Sequence, residues 1–164
     1  MRAVISDCGL YRYRLERLCQ GGGVTGVIMV NPSTADGSAD DHTIRKLRGF
    51  GDRNEWGRLL VGNLFAYRAT DVRELANAAD PIGPLNDGHL NIIFGEADRV
   101  VFAWGPVTKQ PPGVRHRWMH VARMATSLGH QPLWIGPVAK CGHPKHPLTL
   151  AYSLPLSRWT APSA

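Results

Sequence analysis

A short apolar run that ends in Asn-Pro is the feature that most constrains this chain. The run Val27–Val30 is too short for a helix and rich in β-branched residues, so it predicts a buried strand. Pro32 has no backbone N–H and disfavours the helical conformation at Asn31, so the strand has to end there. Asn31 is thereby placed at the carboxyl end of a strand, where open α/β sheets bind their ligands. An ordinary Asn-Pro turn is the alternative.

Three further apolar runs predict buried strands, at residues 59–61, 100–103 and 133–135. Helical patterns lie between the strands, beginning at Asp40 and covering residues 85–97 and 114–128. Strands that alternate with helices predict an α/β protein, a three-layer α/β/α sandwich with a mostly parallel sheet of four or five strands. The length of 164 residues, with no repeat or linker, predicts one domain over residues 1–164.

The first twenty residues predict a strand or hairpin outside this alternating pattern. Tyr11, Tyr13 and Leu15 alternate with charged residues, which predicts one packed face and one solvated, basic face that carries Arg12 and Arg14.

Composition narrows the classes of protein and of partner. The net charge of +6 favours a polyanionic partner such as nucleic acid. No apolar run approaches the ~20 residues of a membrane span, and the start of the chain lacks the apolar segment of a signal peptide. Three widely spaced cysteines do not suggest a disulfide framework. We therefore expect a cytoplasmic protein with no membrane association.

Polar or turn-forming residues follow three of the predicted strands, at Asn31, Gly62-Asn63 and Trp104-Gly105. The carboxyl ends of parallel strands meet at one edge of a sheet, so these positions should converge. Asn63 offers one carbonyl and one amide group, which can match the donor–acceptor edge of a pyrimidine. A structural Asn in a turn is the alternative for this position.

A loop near the end of the chain carries Cys141, His143 and His146 between prolines. Prolines restrict the backbone, so a histidine there keeps its orientation at little entropic cost. The three side chains could instead bind a metal, but no fourth ligand with matching spacing is present. Purely structural histidines are the third alternative. No nicotinamide fingerprint or phosphate-binding glycine loop is present, so we expect neither a metal nor a cofactor.

Four cations lie close to these motifs and could contact phosphates, or simply form a solvated surface: Arg45, Lys46, Arg48 and Lys145.

The order of the motifs resembles the uracil-DNA glycosylase superfamily, particularly its mismatch-type branch, whose first motif reads Gly-Ile-Asn-Pro-Gly. The matching elements are the strand before Asn31-Pro32, Gly62-Asn63 with a following Arg68, the strand ending in Trp104-Gly105, and His146-Pro147-Leu148. Over roughly residues 5–152 the chain also resembles an uncharacterised domain family of bacteria and phages. That family shares the elements Asn-Pro-Ser-Thr-Ala-Asp, Asn-Leu-Phe-Ala-Tyr-Arg-Ala-Thr-Asp, Ala-Trp-Gly and His-Pro-Leu.

The resemblance implies a uracil-DNA glycosylase-like fold and a base-flipping enzyme. It implies that Asn31 positions the attacking water, Asn63 binds the flipped base, and His146 stabilises charge on the departing base. Leu148 matches the residue that wedges into the duplex where the base leaves. Phosphate contacts are implied at Ser33, Thr34 and Thr149, and Ser33 also lies against the base.

Three departures from the superfamily pattern bear on these roles. An Asp at position 31 would activate water more strongly than Asn31 does. The second-motif histidine could be His143 instead of His146, because the loop contains an insertion. The aromatic residue that stacks on the base is not defined by its motif, and Phe65 and Phe50 are the candidates.

The position after the first-motif Pro bears on the choice of base. In uracil-specific members a bulky Tyr at this position excludes a pyrimidine 5-methyl group, whereas here it is Ser33, and Gly62 removes a further side chain. Without a bulky side chain at this position, the site has no steric means of excluding a substituent at C5 of the pyrimidine. Tyr67 or Trp104 could fill the space instead.

The sequence therefore predicts a monofunctional DNA glycosylase that excises a mismatched or 5-substituted pyrimidine from double- or single-stranded DNA and leaves an abasic site. Bases that phages hypermodify are the boldest form of this prediction and would make the protein an antiphage defence enzyme. The alternatives are a non-catalytic reader of a modified base or nucleotide, and a nucleotide hydrolase.

Overall fold

The computed structural model describes residues 2–33, 35–36 and 38–162, and its centre is one seven-stranded mixed sheet. The strands are β1 (Arg2–Ile5), β2 (Arg12–Leu18), β3 (Gly22–Met29), β4 (Trp56–Asn63), β5 (Arg99–Phe102), β6 (Leu133–Ile135) and β7 (Leu156–Arg158). They lie side by side in the order β1-β2-β4-β3-β5-β6-β7.

The four strands in the middle, β4-β3-β5-β6, are parallel and coincide with the four predicted apolar runs. The α/β class is therefore confirmed, but the predicted sheet of four or five strands was too small. β1 and β2 extend it on one side and β7 on the other, each by antiparallel pairing. The pair of β1 and β2 agrees with the strand or hairpin predicted for the first twenty residues, although the sequence did not place it in this sheet. β7 was missed because a strand of three residues, two of them exposed, carries a weak apolar pattern.

Alternating side chains bury both faces of the central strands. On one face Val27 lies between Val61 and Val101 in adjacent strands, and on the other Ile28 pairs with Phe102. All five side chains are completely buried. Parallel sheets are generally covered on both faces, which explains why these strands are continuous apolar runs.

Three α-helices cover the two faces: α1 (His42–Arg53), α2 (Asn86–Glu96) and α3 (Arg117–Ser127). Ile44, Leu47 and Phe50 of α1 pack in the same cluster as Val27 and Val61. Side chains of α2 and α3 pack in the cluster that contains Ile28 and Phe102 on the opposite face. Within the described residues, no helix has the length and apolar content needed to cross a bilayer.

The chain changes direction around β3, and this creates the crevice where a ligand is expected. From β3 the chain runs through α1 to β4 on one side, and from β4 through α2 to β5 on the other side of β3. In open α/β sheets, ligands bind outside the carboxyl ends of the strands at such a switch point.

Two arginines of β2 are buried, which corrects the prediction of a solvated basic face at Arg12. Arg12 is 2% exposed and donates from Nη1 to the carbonyl of Ala35 at 2.6 Å. Arg17 donates from Nε to the Asp40 carboxylate at 2.5 Å and from Nη2 to two carbonyls of the same segment. The loop after β3 folds over β2 and covers both guanidinium groups.

Candidate functional site

A cavity of about 760 Å³ opens at the carboxyl ends of the central strands. Its walls come from the ends of β3 and β4, the loop after β5, the start of α1 and the His146 loop. This volume lies within the range of roughly 300–1,000 Å³ that is typical of small-molecule sites. Seven of the strand-end and site residues singled out in the sequence line it, namely Asn31, Ser33, Asn63, Trp104, Gly105, His146 and Leu148.

The amide of Asn31 has a defined orientation. Its Nδ2 donates to the carbonyl of Ala69 at 2.7 Å and to that of Pro32 at 3.2 Å. Two carbonyls can be satisfied only by the NH₂ end of the amide, so the Oδ1 end is the one available to the cavity. Asn31 therefore presents a hydrogen-bond acceptor, fixed by two backbone contacts.

Asn63 has the opposite character, since both ends of its amide lack a partner. The residue is 1% exposed, and neither Oδ1 nor Nδ2 has a hydrogen-bond partner among the described residues. Its backbone carbonyl, by contrast, accepts from Nδ2 of Asn86 at 3.1 Å, which holds the end of β4 in place. Buried polar groups without partners are rare in folded proteins, and a functional role is one of the reasons for them.

His146 is held in the neutral form with one ring nitrogen assigned. Burial is the main cause that lowers the pKa of His146 below its ordinary value of 6.5, and nearby Lys109 lowers it further. The ring Nδ1 accepts from the backbone N–H of Leu148 at 3.4 Å. A neutral imidazole whose Nδ1 is an acceptor carries its proton on Nε2, so His146 can act as a donor toward a ligand.

His143, the alternative second-motif histidine, does not line the cavity. It is buried, its Nδ1 accepts from Nε1 of Trp104 at 3.3 Å, and its ring packs edge-on against Trp118 at 4.9 Å between centroids. Burial lowers its pKa as well. His143 thus supports Trp104 from behind the cavity wall. In the described part of the chain, no group of histidine, cysteine and acidic side chains is arranged to hold a metal ion.

The remaining predicted site residues lie at the rim or elsewhere. Leu148 is 48% exposed at the cavity edge, and Thr149 is exposed with its hydroxyl donating to the carbonyl of His146 at 2.8 Å. Thr34 lies outside the described residues. Four predicted phosphate-binding cations are outside the cavity lining: Arg45, Lys46, Arg48 and Lys145.

Three of these cations are already engaged on the protein surface, and one of them, Arg45, donates to the carbonyl of Asp40 at 2.5 Å. Arg48 donates to the Asp40 carboxylate at 3.0 Å, and Lys46 lies over the ring of Tyr152 at 3.8 Å.

Phe65 does not reach the cavity, which corrects its assignment to the base-binding site. Both Phe65 and Phe50 are completely buried in the hydrophobic clusters, on opposite faces of the sheet. Trp104 is the aromatic residue in the cavity lining, although it is only 2% exposed.

The cavity wall at Gly62 also differs from the sequence prediction. A β-carbon there would approach side-chain atoms of Leu90 and Ile93 at 2.8 Å, so Gly62 allows close packing of α2 and does not enlarge the cavity. The adjacent residues Val61 and Asn63 face the cavity instead.

Sequence reasoning missed eight polar residues that line the cavity. Five of them are Asp41, His42, Thr43, Thr70 and Asp71, and the other three are Arg12, Lys109 and Gln110. Burial lowers the pKa of the Arg12 guanidinium to about 10. Gln110 is 2% exposed, and neither end of its amide has a partner among the described residues. None of the three follows an apolar strand directly, so no strand-end pattern marks them.

Fold and cavity together define an α/β protein with a ligand-sized site at the carboxyl edge of its central parallel strands. A family model described as "Protein of unknown function (DUF1643)" matches residues 12–148, and the chain belongs to this family. The matched segment begins at Arg12 and ends at Leu148, which are the first and last residues of the cavity lining. Neither the search of curated proteins nor that of solved structures found a match.

Proposed function

We propose that this protein is a monofunctional DNA glycosylase of the uracil-DNA glycosylase superfamily that excises a mismatched or 5-substituted pyrimidine. The observation that carries the proposal is the buried amide of Asn63, which has no partner at either end among the described residues and lies in one cavity with Asn31 and His146. The order of the sequence motifs supports the same reading.

Base recognition is the role proposed for Asn63. A pyrimidine presents adjacent donor and acceptor groups on its hydrogen-bonding edge, and a carboxamide can pair with both. The amide is buried before the ligand arrives, so a base that pairs with it satisfies two groups that are otherwise unpaired. A ligand without a matching edge would leave them unsatisfied, and this gives the site its selectivity.

Bond cleavage requires charge stabilisation on the base and an oriented water. As the bond between C1′ and N1 breaks, its electron pair leaves with the base. The Nε2–H of His146 then donates to a base oxygen that gains negative charge, and preorganised donors of this kind are usually a large part of catalysis.

The water oxygen forms the new bond to C1′ on the opposite side of the sugar. The Oδ1 of Asn31 accepts a hydrogen bond from this water and orients it, which is a proximity effect, because an amide is not a base at neutral pH. The water proton is released to solvent, and the departing base takes up a proton. The DNA is left with an abasic site.

Exposed groups around the cavity support a DNA substrate. Leu148 projects an apolar side chain at the rim, where it can take the space of a base that leaves the duplex. The net charge of +6 provides affinity for phosphates that does not depend on sequence.

The cavity is large enough for a flipped pyrimidine nucleotide. At about 30 Å³ per molecule of liquid water, 760 Å³ has room for about 25 waters, which accommodates a base together with its sugar and phosphate. Ser33 adds no bulk where uracil-specific enzymes have a Tyr. Hypermodified phage bases fit this description, and antiphage defence is the corresponding biological role.

The test is to incubate the protein with genomic DNAs of different base chemistry and to identify released bases by mass spectrometry. We expect a free pyrimidine and, in the same DNA, sites that break in alkali. DNA binding without base release would contradict the proposal and indicate a reader, which the weakly activating Asn31 also permits. Turnover of free nucleotides without DNA binding would indicate a nucleotide hydrolase.

A further inference from the structure

Gln110 is a second buried amide in the same cavity, in a loop to which the sequence assigns no role. Like Asn63, it lines the cavity and has an unpaired Oε1 and Nε2 among the described residues. Two unsatisfied carboxamides in one cavity are unusual, because folded proteins pair nearly all of their buried polar groups.

The backbone of Gln110 is held so that its side chain stays in the cavity. Its N–H donates to the carbonyl of Val107 at 3.0 Å, and its own carbonyl accepts from Nε of Arg115 at 2.9 Å. The same arginine donates to the carbonyl of Thr108 at 3.0 Å, and Pro111 restricts the residue that precedes it. The loop therefore keeps Gln110 in place without using its amide.

Asn63 and Gln110 line the cavity from different sides. Asn63 ends β4 and Gln110 lies in the loop after β5, while β3 runs between these strands. A pyrimidine whose hydrogen-bonding edge pairs with Asn63 can therefore turn its other edge toward Gln110. In an ordinary pyrimidine that edge carries only C5–H and C6–H, which cannot satisfy an amide.

We propose that Gln110 is a specificity-determining residue that hydrogen-bonds a polar substituent at C5 of the pyrimidine held by Asn63. This inference rests on the proposed recognition of a pyrimidine and deepens it. A hydroxyl-bearing substituent fits best, because a hydroxyl both donates and accepts, as the amide does. Unmodified cytosine, uracil and thymine leave Gln110 unpaired and are the poorer ligands.

The test compares oligonucleotides that differ only at C5, carrying either 5-hydroxymethylcytosine or cytosine. Affinity is measured in the Asn31→Ala background, so that turnover does not remove the ligand. Gln110→Met, which keeps the side-chain length, should weaken binding of the hydroxymethylated strand on the order of tenfold and of the cytosine strand less than about threefold. Gln131→Met is the matched control, since Gln131 is exposed and outside the cavity.

Equal losses on both strands would overturn the inference, because they would place Gln110 against the sugar or in a structural role. No loss on either strand would overturn it as well. Base release is scored separately in the wild-type protein. If Gln110→Met still releases the base with the same preference for the hydroxymethylated strand, the role of Gln110 is refuted but the glycosylase proposal stands. If the binding preference depends on Gln110 but no base is released, the glycosylase proposal is refuted but the role of Gln110 stands.

A second measurement does not depend on any ligand. If the amide is unsatisfied in the empty protein, Gln110→Met should leave the Tm unchanged or raise it, because no internal hydrogen bond is lost. A fall in Tm of several degrees would show that the amide already has a partner within the protein, and would overturn the inference.

Discussion

Replacing Asn63 by Leu should stabilise the empty protein while it abolishes ligand recognition. Leu has the same number and branching of side-chain heavy atoms as Asn but no polar group. The amide is buried and has no partner at either end within the part of the chain that the structure describes. The substitution removes groups whose burial is unfavourable, and the backbone carbonyl of Asn63 keeps its hydrogen bond from Asn86.

The magnitude follows from the cost of an unsatisfied buried polar group, about 1–3 kcal/mol. For a chain of this length each kcal/mol corresponds to about 2–4 °C in Tm, so Asn63→Leu should raise the Tm by about 2–12 °C. The loss of both pairing groups should weaken binding of the substrate base on the order of 10²-fold or more. Stability and function therefore change in opposite directions, as is common where a site is built at the expense of the fold.

Asn86→Leu is the matched control for the thermal unfolding assay. Asn86 is equally buried and its Oδ1 also has no partner among the described residues, but its Nδ2 donates to the carbonyls of Asn63 and Leu64 at 3.1 and 3.2 Å. Its replacement should lower the unfolding free energy by about 1–3 kcal/mol. If Asn63→Leu lowers the Tm as much as Asn86→Leu does, the amide of Asn63 is satisfied within the fold and the reasoning is refuted.

Three further predictions concern catalysis, pH and salt. His146→Ala and Asn31→Ala should each lower base release on the order of 10²-fold with DNA affinity retained, while His143→Ala should reduce stability more than release. The unfolding free energy should fall as the pH drops below about 6.5. Burial lowers the pKa values of His89, His143 and His146, so below this pH the unfolded chain binds more protons than the folded protein does. Above pH 6.5 the stabilisation from the three neutral histidines is complete. DNA affinity should fall steeply with salt, and Arg45→Ala should reduce the slope of log K against log salt concentration by about one.

A separate assay tests each of the predictions on catalysis, pH and salt. Single-turnover base release and DNA binding in parallel separate the roles of the histidines, and wild-type release in both His146→Ala and Asn31→Ala would remove their assignment. Denaturant titrations at pH 5 and 7.5 test the second, and equal stability at both would contradict it. For the salt dependence, Arg158→Ala is the control. Arg158 lies in β7 beside Leu133, the first residue of β6, and so at the amino ends of the parallel strands, away from the cavity.

The central fold could be predicted from the sequence because its signals are local. Val27, Val61 and Val101 belong to short apolar runs, and turn or polar residues follow each run at the edge where the cavity opens. Asn31 and Asn63 could be proposed for the same reason.

The parts that were missed depend on contacts distant in sequence. Arg12 looks like a surface cation until the loop around Ala35, 23 residues away, covers it. Gln110 lies in a proline-rich loop where no hydrophobic periodicity applies. It becomes a candidate only because its buried amide has no hydrogen-bond partner among the described residues. Phe65 resembles a stacking aromatic because it follows Asn63 closely, yet the chain turns it into the core.

The two buried arginines of β2 connect the antiparallel pair β1–β2, at the side of the sheet, to the loop beside the cavity. Arg12 and Arg17 hold carbonyls of the segment that runs from Asn31 toward α1, and Arg17 also pairs with Asp40. Releasing that segment would leave a guanidinium group buried without its partners, which is strongly unfavourable. In hydrogen exchange, the amides of β2 and of this segment should therefore open as one cooperative unit, and the first strands of the chain set how readily the cavity can change shape.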